Sequence, residues 1–157
     1  MPTDRDYLLQ AVELAKAAQE AGNLPIGAVI VLNDTVIAEG QNRLWQPVSS
    51  PALHAEIDAL NKVAHELWVH APEMTLYTTL EPCLMCLSTI LLHGIGQVVY
   101  GANDPWGGGM CATQHMPPAF KRLQKAVKIS GPALPEFCDP LFDEVAEILA
   151  ARRAKKE

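Results

Sequence analysis

Apolar residues recur at helical spacing near the N-terminus. In RDYLLQAVELAKAAQEAG, Leu8, Val12, Ala15 and Ala18 share one face, and Gly22 follows where such a helix ends. The period then changes. GAVIVLND and TVIAEGQN are β-branched runs meeting at Asn33-Asp34, which predicts a hairpin. After a loop, RLWQPVSSP, the helical period returns across HAEIDALNKVAHELW, with Ile57, Leu60, Val63, Ala64 and Leu67 on one stripe. MTLYTTL reads as a strand. Pro82 suits the first turn of a helix that runs through LMCLSTILL and stops at Gly94. QVVYGA is another strand, and NDPWGGGMCATQHMPP, rich in Gly and Pro, is a long loop. A short helix (AFKRLQ), a strand (AVKIS) and an amphipathic helix (FDEVAEILAARR) complete the chain, with Cys138 ahead of that last helix as a small core residue.

The order α β β α β α β (α) β α places helices between strands. That favours a three-layer α/β arrangement, and the early hairpin makes its sheet mixed. The 157 residues suit one domain with a substantial core, and no repeat or linker divides residues 1–157. Loops longer than about 12–15 residues are usually functional or disordered. Residues 103–118 therefore stand out before any motif is considered.

No 18-residue apolar run exists to span a bilayer, and MPTDRDYLL lacks the basic-then-apolar layout of a secretory leader. The expectation is a cytoplasmic protein without a membrane partner, in which Cys83, Cys86, Cys111 and Cys138 stay reduced. Metal and catalytic uses of cysteine then gain over disulfides. The net charge is −6, with 4 basic and 12 acidic side chains in residues 1–120 and 8 basic and 6 acidic in residues 121–157. A nucleic-acid binder usually shows a broad basic face. Here only KRLQKAVK and ARRAKK offer one, and both read first as solvated helix faces.

In TLEPCLMCLSTILL, Cys83 and Cys86 lie three apart at the start of a helix. A redox pair and a metal site both use that spacing. Upstream, PALHAEIDAL puts His54 and Glu56 at the start of another helix. Should the two helix starts converge, His54, Cys83 and Cys86 supply three ligands of the right softness for Zn2+. Three is the number of a catalytic site, which leaves a place for water. Glu56 is about 200° round the helix from His54, too far to grip the same ion. It is placed instead to take a proton beside it.

H-x-E joined to P-C-x-x-C is the signature of zinc deaminases as a class. The chain resembles the cytidine deaminase-like superfamily, in the branch that holds tRNA-adenosine, guanine and fungal-type cytosine deaminases. The likeness spans roughly residues 5 to 103, through PIGAVIV, EGQNR, ALHAEI, TLYTTLEPCLMC and GIGQVVYGAND. It implies a three-layer α/β/α sandwich with a mixed five-stranded sheet, and zinc held by His54, Cys83 and Cys86 with water in the fourth place. Glu56 would carry the proton, and the main chain at Cys83 and Glu81 would meet water or amine. Asn42 matches the family's substrate-binding asparagine. A homodimer whose sites take residues from both subunits is implied too, with LMCLSTILL a candidate contact.

From the residues themselves, Trp106 is a candidate to stack on a base and Asp104, beside it, to bond one. Leu53 and Ile26 are candidates for the apolar wall, and each is equally at home in a core. The expected activity is hydrolytic conversion of an exocyclic amine on a nucleobase or nucleoside to a keto group, with release of ammonia. The tRNA-adenosine enzymes carry a K-T-G-A-A-G-S-like run where this chain has NDPWGGGMC, which favours a small substrate over tRNA. A non-catalytic zinc or redox module, with Cys111 or His115 as a fourth ligand, is the remote alternative.

Overall fold

Alternation along GAVIVL sorts the molecule into layers. The first strand, β1 (Gly27–Leu32), is buried throughout. Val29 and Val31 face one apolar cluster, and Ala28, Ile30 and Leu32 the other. In the computed structural model, which describes residues 1–156, β1 pairs antiparallel with β2 (Thr35–Gln41) and with β3 (Thr75–Leu80). β3 runs parallel to β4 (Gln97–Ala102), and β4 to β5 (Lys128–Ser130), so the order is β2-β1-β3-β4-β5. The hairpin turns at Asn33 and Asp34, whose φ angles of 49° and 59° are the left-handed pair a two-residue turn requires.

One face carries α1 (Asp4–Glu20) and α5 (Pro135–Ala154), with Leu8, Val12, Cys138 and Leu141 packed on Val29, Tyr77 and Val99. The opposite face carries α2 (Ala55–Lys62) and α3 (Leu84–His93), with Ala59, Leu60 and Ile90 packed on Ile30, Leu76 and Val98. α4 (Pro118–Gln124) adds Phe120 and Leu123 against Leu87 and Leu91 of α3. Burying each such Leu or Ile stabilises by about 1.5–3 kcal/mol, so Ile90→Ala is expected to cost about 2–5 kcal/mol. Among the described residues, no helix is long and apolar enough to cross a membrane.

The expected sandwich is present, and two helices differ from the pattern. The stripe from Ile57 to Leu67 is not one helix: α2 stops at Lys62, Val63 is extended (φ −64°, ψ 126°), and a 3-10 segment follows over His65–Glu73. Val63 and Leu67 still pack on the same core, because both conformations present an apolar side to it. Helix α5 begins at Pro135, so Cys138 lies within it. Pro135 occupies the first helical position, where a missing N–H is harmless. Together with Pro140 it gives the stretch a loop-like composition. The long loop holds a 3-10 turn, Met110–His115.

A close approach at Gly40 of β2 positions α2. A Cβ there would clash with the carbonyl of Ala55 and with Ala59. Glycine lets the first turn of α2 rest on the end of β2, beside the carboxyl ends of β3 and β4, where ligands collect in parallel sheets.

Candidate active site

His54 is the N-cap of α2 and Cys83 the N-cap of α3. Both are extended (φ −71°, ψ 162° and φ −66°, ψ 169°), and neither side chain caps its helix. Imidazole and thiol are thus free to turn toward each other. His54 Nδ1 lies 3.5 Å from Cys83 Sγ and 3.5 Å from Cys86 Sγ. Cys86 sits one turn into α3, and the i, i+3 spacing brings its sulfur to the same point.

The three donor atoms lie within 4.8 Å of one another. Tetrahedral zinc, with Zn–N near 2.0–2.1 Å and Zn–S near 2.3 Å, separates its ligand atoms by roughly 3.3–3.8 Å. The residues fit that ion. Cys111 and His115 are exposed, and the Cys111 thiol is directed to the Gly108 carbonyl at 3.4 Å. Among the described residues the cluster has three members, so the four-ligand reading is not met. All four cysteines are free thiols.

Hydrogen bonding from Cys86, then from His54, holds the Cys83 thiol down at about 4 despite its burial. The same bond to Cys83, with burial, pushes the Cys86 thiol up. The His54 imidazole is raised by its hydrogen bond to Cys83. A cation among these groups displaces their remaining protons.

Glu56, the second residue of α2, stands outside the ligand cluster and is buried. The Thr78 hydroxyl donates to its Oε1 at 3.2 Å. Burial pushes its carboxyl up. Asp58, one turn from His54, accepts from the Gln41 N–H (2.9 Å), Arg43 Nε (3.2 Å) and Lys62 Nζ (2.8 Å), tying α2 to the end of β2.

Beyond β2, Asn42 is buried. Its Oδ1 accepts from the Leu44 N–H at 3.3 Å, and among the described residues its Nδ2 has no partner. Its own N–H donates to the carbonyl of Ile26, which packs against both apolar clusters. Leu53, partly buried, accepts on its carbonyl from the Arg43 N–H, next to His54. Trp106 is 87% exposed. Asp104 Oδ1 accepts from the N–H groups of Trp106 and Gly107, so that oxygen shapes the loop. The side chain of Glu81 points into the same loop and not at the metal ligands.

Three further features had little sequence signal. Thr78 is a buried polar residue inside an apolar strand, which is a trace of its bond to Glu56. The roles of Asp58 and of Arg152, which packs on Trp45, depend on tertiary contacts that no spacing reveals.

Comparison with known proteins decides the family: the cytidine and deoxycytidylate deaminase zinc-binding region matches residues 1–102. The chain belongs to that family. This deaminase is therefore a hydrolase acting on C–N bonds, with zinc as its metal. It is 33% identical to a tRNA-specific adenosine deaminase of Haemophilus influenzae, over 98% of this chain and 87% of that one. It is 39% identical to a cytosine deaminase of Candida albicans, over 64% of this chain and 67% of that one. A guanine deaminase structure from Bacillus subtilis superposes with a TM-score of 0.60 at 38% identity, covering 65% of this deaminase and 66% of that chain.

Proposed function

We propose that this deaminase hydrolyses the exocyclic amine of a free nucleobase or nucleoside, leaving a keto group and ammonia. The position of α5 carries the choice of a small substrate. Its Arg152 guanidinium lies 3.3 Å from the centre of the Trp45 ring, in the loop that runs on to His54. Further back, Phe142 and Leu149 face Asp104 and Trp106 across a cavity of about 490 Å³. The helix thus lies across both loops that adjoin the metal ligands. None of His54, Glu56, Cys83, Cys86 and Asn42 lines that cavity; the preference for a small substrate rests on α5 crossing both loops, which disfavours a folded RNA.

Zinc held by His54, Cys83 and Cys86 would make a water acidic enough to supply hydroxide near neutral pH. Glu56 would receive a proton from the water and pass it to a ring nitrogen; a second proton, from the hydroxyl added at the amine-bearing carbon, would then go through the same carboxylate to the departing amine. The Thr78 hydroxyl on Oε1 fixes the carboxyl, leaving Oε2 to carry that proton. Asn42 Nδ2, buried without a partner among the described residues, donates to an acceptor on the substrate.

A second reading, deamination of adenosine in tRNA, is supported by the Haemophilus influenzae relative and by the exposed basic end of α5, Arg152, Arg153, Lys155 and Lys156. Ammonia release from cytosine, guanine, adenosine and isocytosine, set beside a tRNA anticodon stem-loop, separates the two. Turnover of the stem-loop alone would reverse the ranking. Leu84, Met85 and Leu92 expose apolar surface on α3, and we propose that a second copy of this chain covers it. Light scattering of the protein and of Leu92→Glu tests that pairing; a wild-type monomer would refute it.

A further inference from the structure

The glycines of NDPWGGGMC take no part in the proton transfers or in holding zinc. Gly108 pairs with the metal ligand Cys83 through an isolated antiparallel bridge, and the Gly109 N–H donates to the Pro82 carbonyl at 2.7 Å. A Cβ on Gly108 would clash with the carboxyl group of Glu81 and would lie 2.5 Å from the Asp104 carbonyl oxygen. Only glycine permits that approach.

Beneath the loop lies Glu81, buried, with its two oxygens divided between two backbone donors. Oε2 accepts from the Asp104 N–H at 3.0 Å, and Oε1 from the Met110 N–H at 3.1 Å. One carboxylate therefore holds both ends of segment 104–110. The segment closes on itself as well, since the Gly108 N–H donates to the Asp104 carbonyl at 3.0 Å and Trp106 stands at the apex. Glu81 itself is set rigidly, because its N–H donates to the Ala102 carbonyl at 2.8 Å and so prolongs the β3–β4 pairing. Burying a carboxylate is unfavourable unless its oxygens find donors. Here those donors are main-chain groups of the one loop that bears Trp106.

We infer that Glu81 is a positioning residue that determines specificity: its carboxylate clamps the 104–110 turn onto the Cys83 turn and so fixes Trp106 and Asp104 at the mouth of the site. The clamp stands on geometry alone; its consequence for specificity rests on the proposed small-amine substrate.

The test uses the full-length, zinc-loaded protein with Glu81→Ala and Glu81→Gln. Glutamine keeps one acceptor oxygen but turns an amide N–H toward the other backbone donor, so it should fail at one end of the segment. Hydrogen exchange within 103–111 should quicken about tenfold or more in Glu81→Ala, the loss of hydrogen bonds to a charged group. Peptides from β3 and α3 should be unchanged, and zinc should stay near one per chain. On whichever amine is turned over, base or stem-loop, KM should rise by roughly the same tenfold, with kcat little altered. Gly108→Ala, which pushes the turn off from the opposite side, should reproduce that split. Unchanged exchange would overturn the clamp, and faster exchange with an unaltered KM would overturn its role in specificity. Loss of zinc from all three variants would make Glu81 part of the metal scaffold and also defeat the inference. A failure of the substrate reading shows separately, as turnover of a different amine.

Discussion

His54 and Cys83 cap two helices with side chains that bond to neither, and their Nδ1 and Sγ atoms lie 3.5 Å apart. N-cap positions usually carry Ser, Thr, Asp or Asn, whose oxygen satisfies a free N–H at about 1 kcal/mol. Both helices forgo that bond at the same place. The positive ends of two helices then face the Cys83 and Cys86 sulfurs, a placement that favours their ionised form.

Removing one ligand should therefore remove the metal. Cys83→Ala and His54→Ala, purified without added metal, should fall from about one zinc per chain to little, as read by elemental analysis. Glu56→Gln should keep its zinc and lose about 10²–10⁴ in turnover, the usual range for a positioned acid–base group. Zinc-loaded Glu56→Gln working at the wild-type rate would take Glu56 out of the proton path.

Asn42 offers a different signature. Its Nδ2 makes no bond within the described residues, so truncation removes little that holds the fold. Asn42→Ala should lower unfolding stability by about 1 kcal/mol, for the lost bond to the Leu44 N–H. The specificity constant kcat/KM should drop by about tenfold or more, because a buried substrate acceptor is left unmatched. A variant that is much less stable yet equally active would return Asn42 to a turn-forming role.

How much of the molecule was legible in the sequence depended on the range of the physics. The convergence of His54, Cys83 and Cys86 was, because H-x-E and P-C-x-x-C are each local and chemically restrictive. The layers were also legible, since Val29 and Ile30 alternate faces over a single residue. The end of α2 was not, because Val63 and Leu67 continue the apolar stripe while the backbone leaves the helix. The start of α5 was hidden by Pro135 and Pro140, which signal a loop in isolation; Pro135 sits at the first helical position, where its missing N–H is harmless, and Pro140 sits inside the helix. The resemblance implies for Glu81 a main-chain contact with water or amine. Its carboxylate proves to hold a loop 23 and 29 residues further on, a distance that no motif encodes.

Asp58 should make stability depend on pH. Burial pushes its carboxyl up, but bonds from Lys62, the Gln41 N–H and Arg43 together outweigh that and hold it below its ordinary value. A depressed carboxyl stabilises the fold fully above its unfolded value, about 3.9. That contribution is lost as pH falls through the lower folded value. Arg43 and Lys62 are partly exposed and add little, so the part-buried Gln41 bond should dominate. Asp58→Asn should cost about 1–3 kcal/mol at pH 7 and progressively less below pH 4. Urea melts at pH 7 and pH 3 measure the gap; a gap that stays constant would sink the assignment.

Arg152 on Trp45 decides between small substrate and RNA. If α5 straps the mouth, removing the contact loosens the strap without touching the chemistry. Arg152→Ala and Trp45→Ala should each raise KM for the small amine a few-fold, and a double-mutant cycle should show coupling of about 0.5–1 kcal/mol, the worth of an exposed cation–π pair. Salt should scarcely alter these effects. If the end of α5 is instead a landing place for RNA phosphates, Arg152→Ala should weaken stem-loop binding. The slope of affinity against salt should then flatten by about one charge, with Trp45→Ala doing less. In that case KM for small amines would not move. The two outcomes differ in the substrate affected and in salt dependence, so one titration series in two buffers tells them apart.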